Sequence, residues 1–516
     1  SVDLLWNGGI GTYVKASTET HAAVGDRANE SVRIDAGELQ ARVVGEGGNL
    51  GLTQAARVEA ARRGVRLDTD AIHNSAGVDL SDHEVNYKIL LAQPLRSGEI
   101  SAEERAAALF EVADEACESV LAHNRAQALS ISLDERRARR DIESFRTAID
   151  DLCASQAVSP EELVLPDEST LQARRVAEEG LARPEIAVLL GLAKLHARQA
   201  IAQDPFVERP SLEPLFESSF PEKLRARFPE ALDAHRLRRE ITALAVTNRI
   251  IDVGGVTAIT TMIAKRGLGV PAAAAALLTA DEILDGPRLR GELLALRGDV
   301  ALDEVDDALL SLGAAVQDVA RYLLAEELDR VTAEQTRRWS QALFGLAEVT
   351  EAFLSGAESD RFGARLRGLL QSGIPESLAV WVAGAPLADR GLNIVRLVER
   401  TELPILAVSR AYARLGDATG INWVFQNLPR AAGDDAWDRM VLTDLRTEIL
   451  SLQRALTEQA LRDGPEDPEA AVEAFLASAE ETIGRVRGLL PEAQMTPSAT
   501  SLTVVVQALS RLRPNG

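Results

Sequence analysis

Ala41-Arg-Val-Val-Gly-Glu-Gly-Gly-Asn-Leu-Gly-Leu-Thr-Gln-Ala-Ala-Arg-Val-Glu-Ala-Ala-Arg-Arg-Gly64 passes from an extended run into a helix. Val43 and Val44 favour a strand over residues 41–45. Glu46-Gly47-Gly48-Asn49 then breaks it in a turn. An amphipathic helix follows over residues 53–63, and Gly64 closes it as a left-handed C-cap. Residues 65–72 read as a further strand, ending in His73-Asn74-Ser75-Ala76-Gly77. Upstream, residues 2–6 read as a buried strand ending in Asn7-Gly8-Gly9, and residues 18–33 as a helical stretch. Asp79 or Ser81 should cap a helix that stops before Pro94. Strands and helices alternating at this spacing predict parallel strands with right-handed crossovers.

The rest of the chain reads differently. Residues 1–97 hold 11 of the 36 glycines, whereas helical periodicity dominates 98–516. Pro184 sits where a helix can begin without losing a hydrogen bond. The expectation is an α/β N-terminal part over 1–97, an incomplete Rossmann-like parallel sheet of about three strands. A large all-α region over 98–516 follows, dividing into two lobes near Gly286. The chain is mostly helical overall.

Charge narrows the function classes. Lys plus Arg is 56 and Asp plus Glu is 79, for a net charge of −23. Such a chain lacks the cationic face that displaces counterions from nucleic acid, or that binds an anionic membrane surface. Only five of the basic residues are lysines. Two cysteines, Cys117 and Cys153, show no metal-type spacing. So few thiols fit a reducing cytoplasm. The sequence opens on Ser1 with a strand-like run and no lead-in. We expect it to be the back part of a longer protein.

All three strand ends carry an Asn close to Gly: Asn7 with Gly8, Gly48 with Asn49, and Asn74 ahead of Gly77. In an open parallel sheet, ligands sit outside the carboxyl ends of the strands. Glycine there lets a ligand approach the backbone. Asn offers an acceptor and two donors, suited to a neutral carboxamide or to ribose hydroxyls. Turn formation explains any one of these ends; three on one rim favour a ligand site. Residues 45–51 do not form the dinucleotide fingerprint, because Leu50 stands where its third glycine belongs. No pyrophosphate-binding turn is recognisable.

Asp3-Leu-Leu-Trp-Asn-Gly-Gly-Ile-Gly-Thr12, Val44-Gly-Glu-Gly-Gly-Asn-Leu-Gly-Leu-Thr-Gln54 and the run from Thr69 to Asn86 together resemble the large bacterial NAD-specific glutamate dehydrogenases. The similarity continues more loosely at Leu181-Ala-Arg-Pro-Glu-Ile-Ala-Val-Leu-Leu190, residues 235–240 and Leu415-Gly-Asp-Ala-Thr-Gly-Ile-Asn-Trp423. It implies that residues 1–97 are the C-terminal part of the dinucleotide-binding domain of an enzyme. That enzyme would convert L-glutamate to 2-oxoglutarate and ammonia, with NAD as hydride acceptor and a homo-oligomeric full-length protein. By the same resemblance, Asn49 and Asn74 face the nicotinamide end of NAD. Asn7, Gly8 and Gly48 lie along the cofactor, and Ser81 bonds the side-chain carboxylate of glutamate, although a plain helix cap explains Ser81 as well. Two positions depart from the family's usual residues: His73 replaces an Asp and Asp68 an Asn.

The reaction needs a Lys of lowered pKa and an acid to shuttle protons. Lys15 and Lys88 are the candidates within 1–97, but solvated or salt-bridged lysines are the simpler reading. The resemblance puts the family's catalytic Lys and Asp upstream, so no catalytic residue is assigned, and this chain alone should be inactive. Asp70, His73, Asp79, Asp82, His83 and Glu84 crowd together without the paired-His spacing of a metal helix. They read as capping and surface groups, so no metal is expected. His123 and His235 read as satisfied histidines on helix faces. The rival function is a non-catalytic helical scaffold or assembly module.

Overall fold

The computed structural model describes residues 2–263, 268–326, 331–347, 350–354, 356–431, 436–462 and 466–513. The chain divides into two compact units, Ser1–Ala274 and Ala275–Gly516.

The first unit begins with a small parallel sheet and continues as helices, the α/β-then-α order that the glycine distribution implies. Strand β1 (Val2–Asn7) forms where expected but is exposed from Val2 through Trp6 and not buried, since β4 is its one strand partner among the described residues. Two short strands follow, β2 (Val14–Lys15) and β3 (Ile34–Asp35), which pair with each other. Strand β4 (Ala41–Glu46) pairs in parallel with β1, from Val2 opposite Ala41 to Asn7 opposite Glu46. The third expected strand joins β4 only through a bridge between Val43 and Arg66. Helix α3 (Asp70–His73) takes over before residue 72, because Asp70 and Thr69 supply a helix start. The helical stretch expected over 18–33 is shorter and broken. It consists of α1 (His21–Val24) and a 3-10 turn (Arg27–Val32), separated by Gly25 at φ 77°.

Helix α2 (Gln54–Arg62) starts on Thr53, whose hydroxyl accepts from the Ala56 N–H, and Gly64 follows at φ 95°. One face of α2 buries Ala56 and Ala60 with Val14, Val44, Leu52 and Leu67. Helix α4 (Ser75–Leu90) begins earlier than expected. Asn74, not Asp79 or Ser81, stands at its N-cap, so Ser81 lies in the second turn. Pro94 falls inside the first turn of α5 (Ala92–Ser97), where its missing N–H breaks no helical bond. Two further helices, α6 (Ala102–Glu111) and α7 (Ala113–Arg140), follow.

Later helices of the first unit clasp the α/β part. Helix Arg183–Gln203 carries Pro184 in its first turn. Arg183 binds Asp68 through Nε to Oδ1 at 2.8 Å, and Gln54 Nε2 donates to the Pro184 carbonyl at 3.1 Å. Glu185, 1% exposed, caps its own helix at the Ala182 N–H and takes a two-pronged bond from Arg174.

The second unit is helical. Its helix Leu302–Ala325 is, among the described residues, the one long and apolar enough to cross a membrane; 61% of its apolar window is buried within the protein. Helix Ala388–Thr401 is buried from Asp389 through Leu397. Three of its polar groups are paired: Asn393 with Tyr322 and the Leu450 carbonyl, Arg396 with Glu326, and Asp389 with Arg446. Residues 415–423 form a tight helix–helix corner. Gly420 ends one helix at φ 85°, and a Cβ at Gly416 would sit 2.4 Å from the Asn422 side-chain oxygen Oδ1. Asn422 Nδ2 donates across the corner to Asp417 at 2.7 Å.

Candidate functional site

The site is built at the carboxyl ends of β1 and β4. The Asn7 carbonyl accepts from both the Gly47 and Gly48 N–H groups, at 2.8 and 3.0 Å. That draws the glycine run against the first strand end. Glycine is required there by space: a Cβ on Gly48 would sit 2.3 Å from the Gly9 carbonyl oxygen. The Trp6 ring lies over Gly45 and Gly47, where a Cβ would meet ring atoms at 2.6 and 2.7 Å. The Asn7 Nδ2 donor is buried and has no hydrogen-bond partner among the described residues. It faces Gly51, where a Cβ would be 1.8 Å away.

The other two amides meet directly. Asn74 Nδ2 donates to Asn49 Oδ1. Asn49 is exposed and Asn74 half-buried. Between them Leu50 adopts a left-handed backbone, φ 59°, a strained position for a non-glycine residue. Both of its peptide groups are held: its N–H by Asp70 Oδ2 at 2.8 Å, its carbonyl by the Thr12 hydroxyl at 2.8 Å. The Asn7 backbone thus ties the first strand end to Gly48, and Asn49 and Asn74 join through their side chains, whereas the Asn7 amide itself turns inward against Gly51. Ser81 is exposed, and its hydroxyl donates to the Val78 carbonyl within its own helix.

A buried ion pair fixes the glycine loop from below. Glu46 is fully buried, and its carboxylate takes both Nε and Nη2 of Arg57, at 2.8 and 2.9 Å. It also accepts the Leu52 N–H at 3.0 Å. Arg57 reaches on to Asp70 at 3.1 Å, the same carboxylate that holds Leu50. Reading the sequence stretch by stretch missed this pair. The available signal was a charged residue inside a glycine run after a buried strand, which is costly unless a partner neutralises it.

The two positions that depart from the resemblance are in contact. His73 Nε2 lies 3.7 Å from Asp68 Oδ2, while its Nδ1 accepts the Glu46 N–H at 3.1 Å. Burial pushes the Asp68 carboxyl up. The neighbouring His73 imidazole and the Arg183 guanidinium outweigh it and hold the group below the usual carboxylate value. Asn124, from α7, also escaped notice: its Nδ2 donates to the Ile72 carbonyl at 2.8 Å and to Ser75 Oγ at 2.9 Å, bracing the junction that carries Asn74.

Neither lysine near the rim is unpaired. Lys15, 7% exposed, pairs with Asp35, and Lys88 pairs with Glu84 one turn away. His235 is satisfied by the Asn86 carbonyl and the Leu237 N–H.

A family model described as glutamate dehydrogenase, C-terminal, matches residues 178–513. The chain belongs to that family. A second model, the catalytic domain of bacterial NAD-glutamate dehydrogenase, matches residues 1–134, so the resemblance carried by the strand-end motifs holds. The NAD-specific glutamate dehydrogenase of Halomonas elongata is 34% identical over 493 residues, covering 95% of this chain and 31% of that protein. The protein of the same name from Pseudomonas aeruginosa is 34% identical over 499 residues, 95% of this chain and 30% of the relative. That from Mycobacterium tuberculosis is 29% identical over 510 residues, 98% and 31%. The chain spans about a third of the length of the curated relatives it matches.

Proposed function

We propose that the chain serves NAD-dependent oxidative deamination of L-glutamate to 2-oxoglutarate and ammonia. In this reading residues 1–97 are the end of the dinucleotide-binding domain and residues 98–516 the helical C-terminal region. The observation that carries it is the Asn49–Asn74 side-chain bond, formed beside the strand ends that the Asn7 carbonyl ties to Gly47 and Gly48. The names of the relatives support the same reading.

The residues fit half of a dinucleotide site. Asn49 is exposed and Asn74 half-buried, so both amides are open to a ligand, and a Cβ at Gly8 or Gly9 would meet nothing nearer than 3.7 Å, which leaves the first strand end open to close approach. Bound NAD would accept a hydride from the α-carbon of glutamate. Asn49 and Asn74 would hold and orient a neutral carboxamide, the Asn49 amide group donating and the Asn74 carbonyl accepting. Gly48, packed against the Gly9 carbonyl, would hold the loop in shape beside the cofactor. Ser81 would bond the substrate's side-chain carboxylate. No residue here is assigned to move a proton in the reaction. The partners are therefore the small-molecule substrates and further copies of the protein, in the cytoplasm, with no nucleic acid and no membrane.

The test joins this chain to the upstream portion of the Halomonas elongata relative that it does not match. The chimera should reduce NAD with glutamate, and the chain alone should not. A folded chimera with no NAD reduction, and no NAD binding by calorimetry, would favour the scaffold reading instead.

A further inference from the structure

Asp79 and His83 lie one turn apart on α4, and His123 reaches them from α7. Asp79 Oδ2 is 2.8 Å from His123 Nδ1, and Asp79 Oδ1 is 3.6 Å from His83 Nε2. The two imidazoles are stacked, with centroids 5.7 Å apart and planes 17° from parallel. One ligand atom from each of the three residues lies within 4.8 Å of the others. At 3.6 Å the second contact is too long for a hydrogen bond. The carboxylate therefore satisfies His123 and leaves His83 Nε2 facing the gap without a short bond. His83 is nearly buried, 8% exposed, and its other nitrogen, Nδ1, meets the Tyr87 hydroxyl at 3.1 Å.

We propose that Asp79, His83 and His123 bind a divalent transition-metal ion of the class that zinc represents, with water completing a tetrahedron. Two imidazoles and one carboxylate match that class and disfavour calcium and magnesium, which prefer all-oxygen shells. Metal–ligand bonds of about 2.0–2.2 Å put neighbouring ligand atoms roughly 3.3–3.5 Å apart. Small side-chain rotations close the present spacing to that value. The Tyr87 contact has the form of an outer-shell bond: with Nδ1 protonated and donating to the Tyr87 oxygen, Nε2 is the free lone pair that a metal needs. Spacing along the chain hid the site, because its third ligand, His123, lies 40 residues on from His83 in another helix. Bound metal would tie α4 to α7 beside Asn124, which already braces Ile72 and Ser75. The site is a clamp on that packing.

The test uses the whole chain, stripped with chelator, dialysed against zinc and analysed by mass spectrometry. The parent should retain about one ion per chain. His123→Ala and Asp79→Asn should lose it, while His196→Ala, outside the cluster, should keep it. The His123 side chain is 45% exposed, so its removal leaves the fold intact, as far-UV circular dichroism will verify. Cobalt should give a visible tetrahedral spectrum in the parent and in His196→Ala only. Zinc should raise the melting temperature of the same two proteins and not of His123→Ala. Tyr87→Phe should weaken zinc about 10-fold. Zinc content equal in parent and His123→Ala, or none above the dialysis buffer in the parent, would overturn the proposal.

Discussion

The Asn74 side-chain amide donates to the side-chain carbonyl of Asn49, linking the loop after β4 to the start of α4. The bond spans 25 residues of sequence and pre-orients both amides. It leaves the Asn49 amide group and the Asn74 carbonyl to meet a ligand.

That shared bond predicts non-additive kinetics. In the chimeric enzyme, Asn49→Ala and Asn74→Ala should each raise the KM for NAD by roughly 5-fold, the worth of about 1 kcal/mol of neutral hydrogen bonding. The double substitution should cost less than the sum, because either single change already breaks the pair. A double-mutant cycle on KM measures the coupling; strict additivity would mean that the two amides act separately.

Two glycines of similar appearance in the sequence should behave oppositely. Gly48 faces the Gly9 carbonyl, and a Cβ there would be 2.3 Å from it. Gly48→Ala should therefore destabilise by about 1–3 kcal/mol, as overpacking does. Gly77 lies inside α4, and a Cβ there meets nothing within 4 Å. Gly77→Ala should stabilise by about 0.5–1 kcal/mol, since alanine loses less entropy in a helix. Urea unfolding of the two variants measures both signs.

These glycines also mark how far the sequence could be read. The strand-end positions of Asn7 and Asn49 were legible, because strand periodicity and turn residues act over short distances. Gly77 was misread as part of a strand end. His73-Asn74-Ser75 looks like a turn, but Asn124 reaches across from α7 and locks the segment as a junction between two helices. The third strand was legible as an extended run and not as a ladder: past Arg66 the backbone turns to make α3. Asp68 with Arg183, and Asp79 with His123, depend on helices arriving from elsewhere. Local pattern carries no signal for such meetings.

Asp68 should give the first unit a recognisable acid sensitivity. Burial opposes its charge, but His73 and Arg183 hold its carboxyl below the ordinary 3.8. A folded-state value below the unfolded one means that the stabilisation is complete above the unfolded value. It is lost as pH falls through the folded one. Asp68→Asn should lower stability by about 1.5–3 kcal/mol at neutral pH, the range for bonds to charged partners. The difference should shrink as pH drops below about 4. Melting temperatures of parent and variant across pH 7 to 3 should therefore converge at the acid end. Parallel curves would show that the Asp68 charge contributes nothing.

In the second unit, Asp389 and Arg446 pair unequally. The Asp389 side chain is 1% exposed, whereas that of Arg446 is 27% exposed and also touches Asp318 at 3.9 Å. Removing the arginine strands a charge in the interior; removing the aspartate leaves a cation that still has a partner and some water. Burial already pushes the Asp389 carboxyl up, with Arg446 opposing it. Without Arg446 its folded value rises further, so the variant is penalised increasingly as pH rises above the unfolded value. Arg446→Met should thus cost about 3–5 kcal/mol at neutral pH, the usual penalty for an unpaired buried charge. It should cost less near pH 4, where the carboxyl takes up a proton. Asp389→Asn should recover much of the loss in the Arg446→Met background, because it removes the charge that has no partner. Urea unfolding at the two pH values decides it, and a pH-independent cost would mean that Arg446 acts through packing alone.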